Sequence, residues 1–402
     1  MSVDVLCRPA RAERRARAAV AVLFFTNGAL FANLLPRYPQ IKADLGMGNS
    51  AYGLAVAAFP TGAIAAGLAA GLLIRRLGSA RVAVAGTLLT GVGILAAGLA
   101  NSAVLFAGAL FLAGAMDAIT DVGQNAHGLR VQRRYGRSII NSFHAIWSIG
   151  AVTGGAMAAG AIALGLPLGQ HLLISAVVFA VAACVALRFC LPGPDTESAA
   201  EPETDRRAPQ PAPRAATGLR TGYVLAALVL IATAGALVED AGNSWAALYL
   251  SNWLHAPAAL AASGYIALVG AQFIGRLIGD KLVDRFGQRA VARGGGLIAG
   301  AGMALALAVP TVPGTILGFA AAGLGVATLV PAAMHEADEL PGLKPGSGLT
   351  IVSWLMRLGF LLSPPVVGQV ADATSLRAGL LVVPFAGLLV LALAGVLQTR
   401  RE

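Results

Sequence analysis

The sequence predicts an all-α polytopic membrane protein, with twelve transmembrane helices in two halves of six. Three observations carry that expectation. The 402 residues are 57% hydrophobic and only 12% charged, where a soluble domain is roughly 45–50% and about 25%. The apolar residues fall into twelve continuous runs, each near the ~20 residues that a spanning helix needs, without the period-two alternation of an outer-membrane barrel. One long polar stretch, residues 192–220, divides the runs six and six. Glycine is abundant at 50 residues, but it follows no three-residue period, so a collagen-like chain is excluded. The apolar content excludes general disorder.

In chain order the spans are expected at 18–35, 50–74, 82–100, 103–126, 138–164, 170–191, 221–250, 259–279, 290–309, 314–335, 347–370 and 377–398. Residues 1–17 form a basic amino-terminal segment. It leads into a full-length span, so no cleavable signal peptide is expected. Residues 18–191 make the first half, 192–220 a linker, 221–398 the second half and 399–402 a tail. The linker holds six prolines and five acidic residues, a composition that stays extended.

The basic residues set the orientation. With the amino terminus inside, 25 of the 29 Lys and Arg fall in cytoplasmic segments or at their span ends. Only Arg37, Lys42 and Arg377 fall outside, and Arg357 lies within a span. Both termini are therefore expected in the cytoplasm. The net charge of +10 reads as a topology signal and not as a nucleic-acid footprint. Twelve helices in two linked halves is the layout of parallel-repeat secondary transporters.

Two loops at equivalent places share a pattern. Between spans 2 and 3 stands Gly71-Leu-Leu-Ile-Arg75-Arg76-Leu-Gly78-Ser79-Ala80-Arg81, and between spans 8 and 9 Asp280-Lys281-Leu-Val-Asp284-Arg285-Phe-Gly287-Gln288-Arg289. A glycine after a basic pair makes a tight turn, and the bases anchor it to the cytoplasmic surface. Both loops resemble the G-x-x-x-D-R-x-G-R-R signature of the major facilitator superfamily. The second copy keeps Asp284, Arg285 and Gly287, with Asp280 in place of the leading glycine. The first keeps Gly71, Arg76 and Gly78 but has Arg75 where the family has Asp. Two further stretches, Asp121 to Gly150 (with Gln124, Asn125, His127, Ser142, His144 and Trp147) and Glu239 to Leu250 (with Asp240, Asn243, Trp245 and Tyr249), resemble bacterial members distantly related to fucose permease. The resemblance implies the major facilitator fold, a bacterial cytoplasmic (inner) membrane location and alternating access by rocking of the halves around a central site.

Ionisable groups inside a span cost at least ~2.5–3.5 kcal/mol each, so each is a candidate site residue. In span 4, Asp117, Asp121 and Gln124 or Asn125 share one helix face. In span 5, Asn141, His144 and Ser148 do the same. Counting 1.5 Å per residue sets Asp121 level with His144, and Asp117 level with Trp147. An Asp121–His144 pair is expected to carry protons, with Asp117 and Glu239 as further proton-coupling candidates; the alternative is a structural hydrogen-bonded cluster. Span 7 is long, and Gly242 beside Glu239, Asp240, Asn243 and Trp245 invites a break in the helix. Glu239 and Asn243 are expected to face the cavity. Trp245 stacks on substrate or belongs to the interfacial belt. Arg357 lies near mid-depth, one turn after Trp354, and needs a carboxylate such as Asp117, Glu239 or the substrate's own. Asn27, Asn33 and Gln272 are candidates for hydrogen bonds to substrate, or for helix–helix contacts. His335 reads as a surface residue.

The missing Asp at position 75 suggests a reversed interlock. Arg75 or Arg76 would meet the acidic loop Glu336, Asp338 and Glu339, while Asp284 would meet the start of span 5 around Arg137 and Ser138. No nucleotide-binding loop, HExxH, CxxC or GxSxG pattern occurs, so no enzyme activity, cofactor or metal is expected. The expected partners are a small-molecule substrate, membrane lipid and protons, but no nucleic acid, and the chain is expected to be a monomer. The functional reading is a secondary active transporter of a small polar solute. Its alternatives are a proton-driven efflux pump for amphipathic compounds and a non-transporting membrane scaffold or sensor. Aromatics are only 6%, whereas Asn, Gln, Asp, Glu and Arg recur at depth, which favours the polar solute.

Overall fold

A computed structural model describes residues 11–67, 69–136, 138–193, 195, 218–343 and 346–398. Most of the linker, the tail and the first ten residues lie outside these. The helices are α1 Arg11–Ala32, α2 Tyr38–Asp44, α3 Asn49–Val56, α4 Ala58–Ala66, α5 Ala69–Leu77, α6 Ser79–Gly98, α7 Ala103–Tyr135, α8 Ile140–Ala163 and α9 Leu168–Leu187 in the first half. The second half holds α10 Leu219–Leu248, α11 Ala258–Phe286, α12 Gln288–Ala308, α13 Val312–Val326, α14 Leu329–Asp338, α15 Ser347–Leu355, α16 Arg357–Ala373, α17 Leu376–Gly379 and α18 Val382–Leu393. Among the described residues, eleven segments are long and apolar enough to cross a membrane. The twelfth is span 2, built from α3 to α5 with a 58° bend before α5.

Prolines explain several of the broken spans. Pro60, Pro331 and Pro384 each sit third in a new helix, in α4, α14 and α18. In a first turn the missing N–H has no partner to lose. Span 7 behaves differently from the sequence expectation. It runs unbroken through Gly242 and ends in a π-helical turn over Tyr249–Trp253. Gly242 instead makes room for Leu268 of α11, whose Cδ1 would lie 2.2 Å from an added Cβ. Outward faces of the helices carry large apolar side chains such as Val104, Leu305, Leu317 and Phe385, all exposed, as a lipid-facing surface requires.

The two signature loops turn identically. Gly78 has φ 87° and ψ 146°, and Gly287 has φ 80° and ψ 157°. Only glycine enters that region without strain, so the shared glycine is a backbone requirement. These loops lie on the face that also holds Asp195, Arg289 and Gln398, here called the linker-side face.

The halves meet on the opposite face. Asp372, at the end of α16, caps the amino terminus of α3 in the other half. Its carboxylate accepts from the Asn49 backbone N–H (3.0 Å), the Ser50 N–H (2.7 Å) and Asn49 Nδ2 (2.9 Å). Next to it the two backbones touch. A Cβ on Gly53 would fall 2.3 Å from the Pro364 carbonyl oxygen, and one on Gly368 2.4 Å from that of Asn49. Deeper in, the Tyr52 hydroxyl donates to the Ser244 carbonyl (2.7 Å), and its ring lies edge-on to Trp245. The α8–α11 seam closes at the same level, with Gly155 against Tyr265 and Ile266.

The cap gives a direct test of this closure. Losing a side-chain cap costs about 1 kcal/mol, a several-fold change in an equilibrium. Asp372→Ala is therefore expected to raise the population opened at this face. The measurement is the electron-spin distance between labels at Asp44→Cys and Ala258→Cys, with the native cysteines replaced. A distribution identical to that of the parent would show that Asp372 does not hold the halves together.

Candidate functional site

On the linker side of that seam the two halves present polar walls to each other. The first wall is organised by Asn27 of α1. Its Nδ2 donates to Asp117 Oδ1 (2.7 Å), while its Oδ1 accepts from Trp147 Nε1 (2.8 Å) and Gln124 Nε2 (3.3 Å). One amide thus ties α1, α7 and α8 together. Gly28 permits this, because the Trp147 carbonyl oxygen occupies the space of its absent Cβ. One turn along α7, Asp121 accepts from Gln124 Nε2 (3.3 Å) and Asn125 Nδ2 (2.9 Å). Asp121 is open to solvent, yet ringed by protein, as befits the wall of a deep cleft.

The second wall is organised by Glu239 of α10. Its Oε2 accepts from Gln272 Nε2 (2.6 Å) and pairs with Arg276 Nη2 at 3.7 Å. Gln272 and Arg276 lie one turn apart on α11, so both reach the same carboxylate. Tyr265 is buried within electrostatic reach of Glu239. Arg357, the first residue of α16, is exposed and makes no hydrogen bond or close ion pair among the described residues.

Charges face each other across the cleft without touching. Asp121 feels Arg357, and His144 feels Arg276 as well as Asp121. The nearer contact of His144 is Phe24, edge-on at 5.2 Å. Asp121 and His144 are electrostatic neighbours without a direct hydrogen bond among the described residues. The amides take Asp121, and the imidazole leans on an aromatic ring. Among the partners considered for Arg357, neither Asp117 nor Glu239 is engaged; its electrostatic neighbour is Asp121.

Of the sequence candidates, Asn27, Asp117, Trp147, Asp121 and His144 gather on the first wall, and Glu239, Gln272 and Arg357 on the second. Asn243 follows one turn after Glu239, half-buried, with Oδ1 unpartnered. Trp354 is 51% exposed. Asn33 does not join the cleft. It is fully buried between α1 and α9, where its Oδ1 meets His171 Nε2 (2.9 Å) and Ser175 Oγ (3.1 Å). Trp245 is fully buried in the seam against Tyr52, where it serves neither as a stacking surface in the cleft nor in an interfacial belt. Arg276, counted from sequence as a linker-side base, belongs to the second wall. Its i, i+4 spacing from Gln272 was the available signal.

The interlock residues do not meet in this conformation. Glu336 Oε1 accepts from the Gln398 N–H (3.1 Å), Glu339 Oε2 from Gln398 Nε2 (3.1 Å), and Asp338 Oδ1 from the Gly346 N–H (3.2 Å). His335 pairs with Glu339 at 3.8 Å on the surface. Arg75, Arg76 and Asp284 are exposed, and Arg285 lies over the Phe286 ring. The start of α8 is capped from its own half, since Gln132 Oε1 accepts from the N–H groups of Ile139 (2.8 Å) and Ile140 (3.0 Å). Arg137, the other expected neighbour of Asp284, lies outside the described residues.

Comparison with known proteins agrees with this architecture. An uncharacterized transporter of Sinorhizobium fredii is 30% identical over 382 residues, covering 94% of this chain and 97% of its own. The fold matches a mutant of the nucleoside transporter NupG with a TM-score of 0.75 at 14% identity, covering 95% of this chain and 99% of the other. It matches a D-xylose-proton symporter with a TM-score of 0.67 at 15% identity, covering 97% and 98%. The sequence profile of the Major Facilitator Superfamily matches residues 20–337. With its twelve-span layout, its paired signature loops and a family match over most of its length, the chain belongs to the major facilitator superfamily of membrane transporters.

Proposed function

We propose that this transporter moves a small polar solute by alternating access, coupled to protons. The linker-side face lies in the cytoplasm, as do both termini, and the present conformation is open inward. The observation that carries the reading is the pair of facing walls, with Asp121 opposite Arg357 and His144 opposite Arg276 across an accessible cleft. Ionisable groups at membrane depth are retained where they line a pathway or relay protons. The clustering of basic residues on one face supports the orientation. A nucleoside and a xylose transporter among the fold neighbours are compatible with a solute rich in hydroxyl or amide groups.

In this reading the solute docks between Asn27, Asp117, Trp147 and Gln272, with Glu239 and Arg357 as charged anchors and Asn243 and Trp354 flanking. A thermal-shift screen of the purified protein against sugars, nucleosides, carboxylates and drugs tests the substrate class. Stabilisation by amphipathic drugs alone would overturn the polar-solute reading.

Coupling is tested in proteoliposomes with the solute so identified. Neutral variants of Asp117, Asp121, His144 and Glu239 are made one at a time. At least one is expected to bind solute yet lose uphill uptake driven by a pH gradient. Undiminished uphill uptake in all four would overturn the proton-coupling reading.

Arg357→Lys keeps the charge but loses the planar fork. It is expected to weaken solute binding or transport by roughly 1–3 kcal/mol, the scale of a charged hydrogen bond. Normal affinity and rate would mean that only diffuse charge matters at this position.

When the linker-side face closes, Arg75 or Arg76 is expected to pair with Glu336, Asp338 or Glu339. Asp284, steadied by Arg285, would then reach the start of α8. Such pairs need exist in only one state to bias the balance. Arg75→Glu with Arg76→Glu is expected to impair transport, and Lys at the acidic positions to restore it. Failure of every such swap to restore transport would sink the interlock.

A further inference from the structure

Asp240 stands next to Glu239 in sequence but points elsewhere. Consecutive residues on a helix diverge by about 100°. Glu239 therefore faces the cleft, while Asp240 faces the seam that closes the opposite face. Asp240 is 7% exposed. Its Oδ1 accepts from Ser244 Oγ at 3.3 Å, and Ser363 of α16, a neighbour, donates its hydroxyl to the Leu237 carbonyl (3.3 Å). Its Oδ2 is buried without a partner.

The charged and titratable groups around it are few. Tyr38 and Tyr52, from the first half, face it, and Glu239 neighbours it on its own helix. No Lys, Arg or His acts on it among the described residues. The basic residue nearest to Tyr38 in sequence, Arg37, is committed to the Leu166 carbonyl (2.8 Å), Gln40 Oε1 (3.0 Å) and His171 Nδ1 (3.4 Å). The Tyr38 hydroxyl is also buried without a partner, and the Tyr52 hydroxyl is spent on the Ser244 carbonyl. An ionised carboxylate sealed in with a bare oxygen and no counter-ion is strongly disfavoured. A proton on Oδ2 removes the charge.

We propose that Asp240 is a proton-binding site of the closed opposite face, occupied only while Tyr38 and Tyr52 seal it. The walls of this site come from both halves, so it exists only when they meet. On closure, a proton from water on that face forms an O–H bond at Oδ2. On opening, the two tyrosines withdraw, water reaches the carboxyl, and the proton is released to the same side. Closure thus takes up one proton, and acid on that side favours the closed state. The site makes closure of this face depend on pH without carrying a proton across, and it rests on the rocking of the halves proposed above, but not on which solute is moved.

The test uses the full chain in lipid nanodiscs with spin labels at Asp44→Cys and Ala258→Cys. The open fraction at this face is followed between about pH 5 and pH 9, in the parent and in Asp372→Ala, where one linked proton allows up to tenfold change per pH unit. The expected result is an open fraction that rises with pH and a flat, closed response in Asp240→Asn. Should Asp240→Asn fail to fold, Asp240→Ser is the neutral substitute. An open fraction independent of pH in the parent, or the same pH dependence without Asp240, would overturn the site. A face that opens under none of these conditions would instead overturn the alternating-access reading on which it rests.

Discussion

The seam between the halves decides the form of everything else. At one face the backbones of α3 and α16 touch through Gly53 and Gly368, and the Asp372 carboxylate caps the exposed amino terminus of α3. Three hydrogen bonds to one carboxylate, at the positive end of a helix, pin two rigid six-helix bodies at their rims. With the rims fixed, α8 and α11 touch near Gly155 and Tyr265. Their linker-side ends, with His144 and Arg276, sense each other only at a distance. A cleft on the linker side follows from closure on the other.

The polar groups obey the same division. In a low-dielectric medium a buried charge needs a partner, and the carboxylates Asp117 and Glu239 find theirs within their own half. Asn27 satisfies Asp117, Gln124 and Trp147 inside the first half, and Gln272 and Arg276 satisfy Glu239 inside the second. Because neither network depends on the other half, the halves can part without stranding a charge. Asp240 differs, since its enclosure is completed by Tyr38 and Tyr52 from across the seam.

The sequence made the span count, the division into halves and the paired loops legible, because hydropathy and charge are properties of composition. Helical periodicity also brought Asp117, Asp121, His144 and Trp147 to the proper wall. It failed where the direction around a helix depended on packing. Asn33 lies six residues after Asn27, just past the end of α1 and far enough round the axis to face different neighbours, and it meets His171 and Ser175. Trp245 looked like a site aromatic, but Tyr52, distant in sequence, claims it. Gly242 read as a helix breaker, yet its missing side chain is filled by Leu268. Arg276 counts from sequence only as a cytoplasmic base at a span end, because a lone base there cannot be told from one reaching inward until its partner is placed.

The departure at position 75 can now be placed in the structure. Both signature loops make the same glycine turn, so the backbone of the motif survives in each half. What differs is the acid of the motif: the second half keeps an exposed Asp284, and the first half has Arg75. In the first half Asp195, just past span 6, accepts from the Ser79 N–H and hydroxyl at the start of α6 and pairs with Arg130 at 3.4 Å. His127 joins through Ser79 Oγ (2.9 Å) and accepts from the Leu191 N–H (3.2 Å). A helix amino terminus favours a negative charge beside it, and a carboxylate from the start of the linker supplies it. The charge is thereby tied between the linker and the first half, while Arg75 and Arg76 remain exposed. The loop has kept its glycine turn, and where the family has an acid it carries an exposed base.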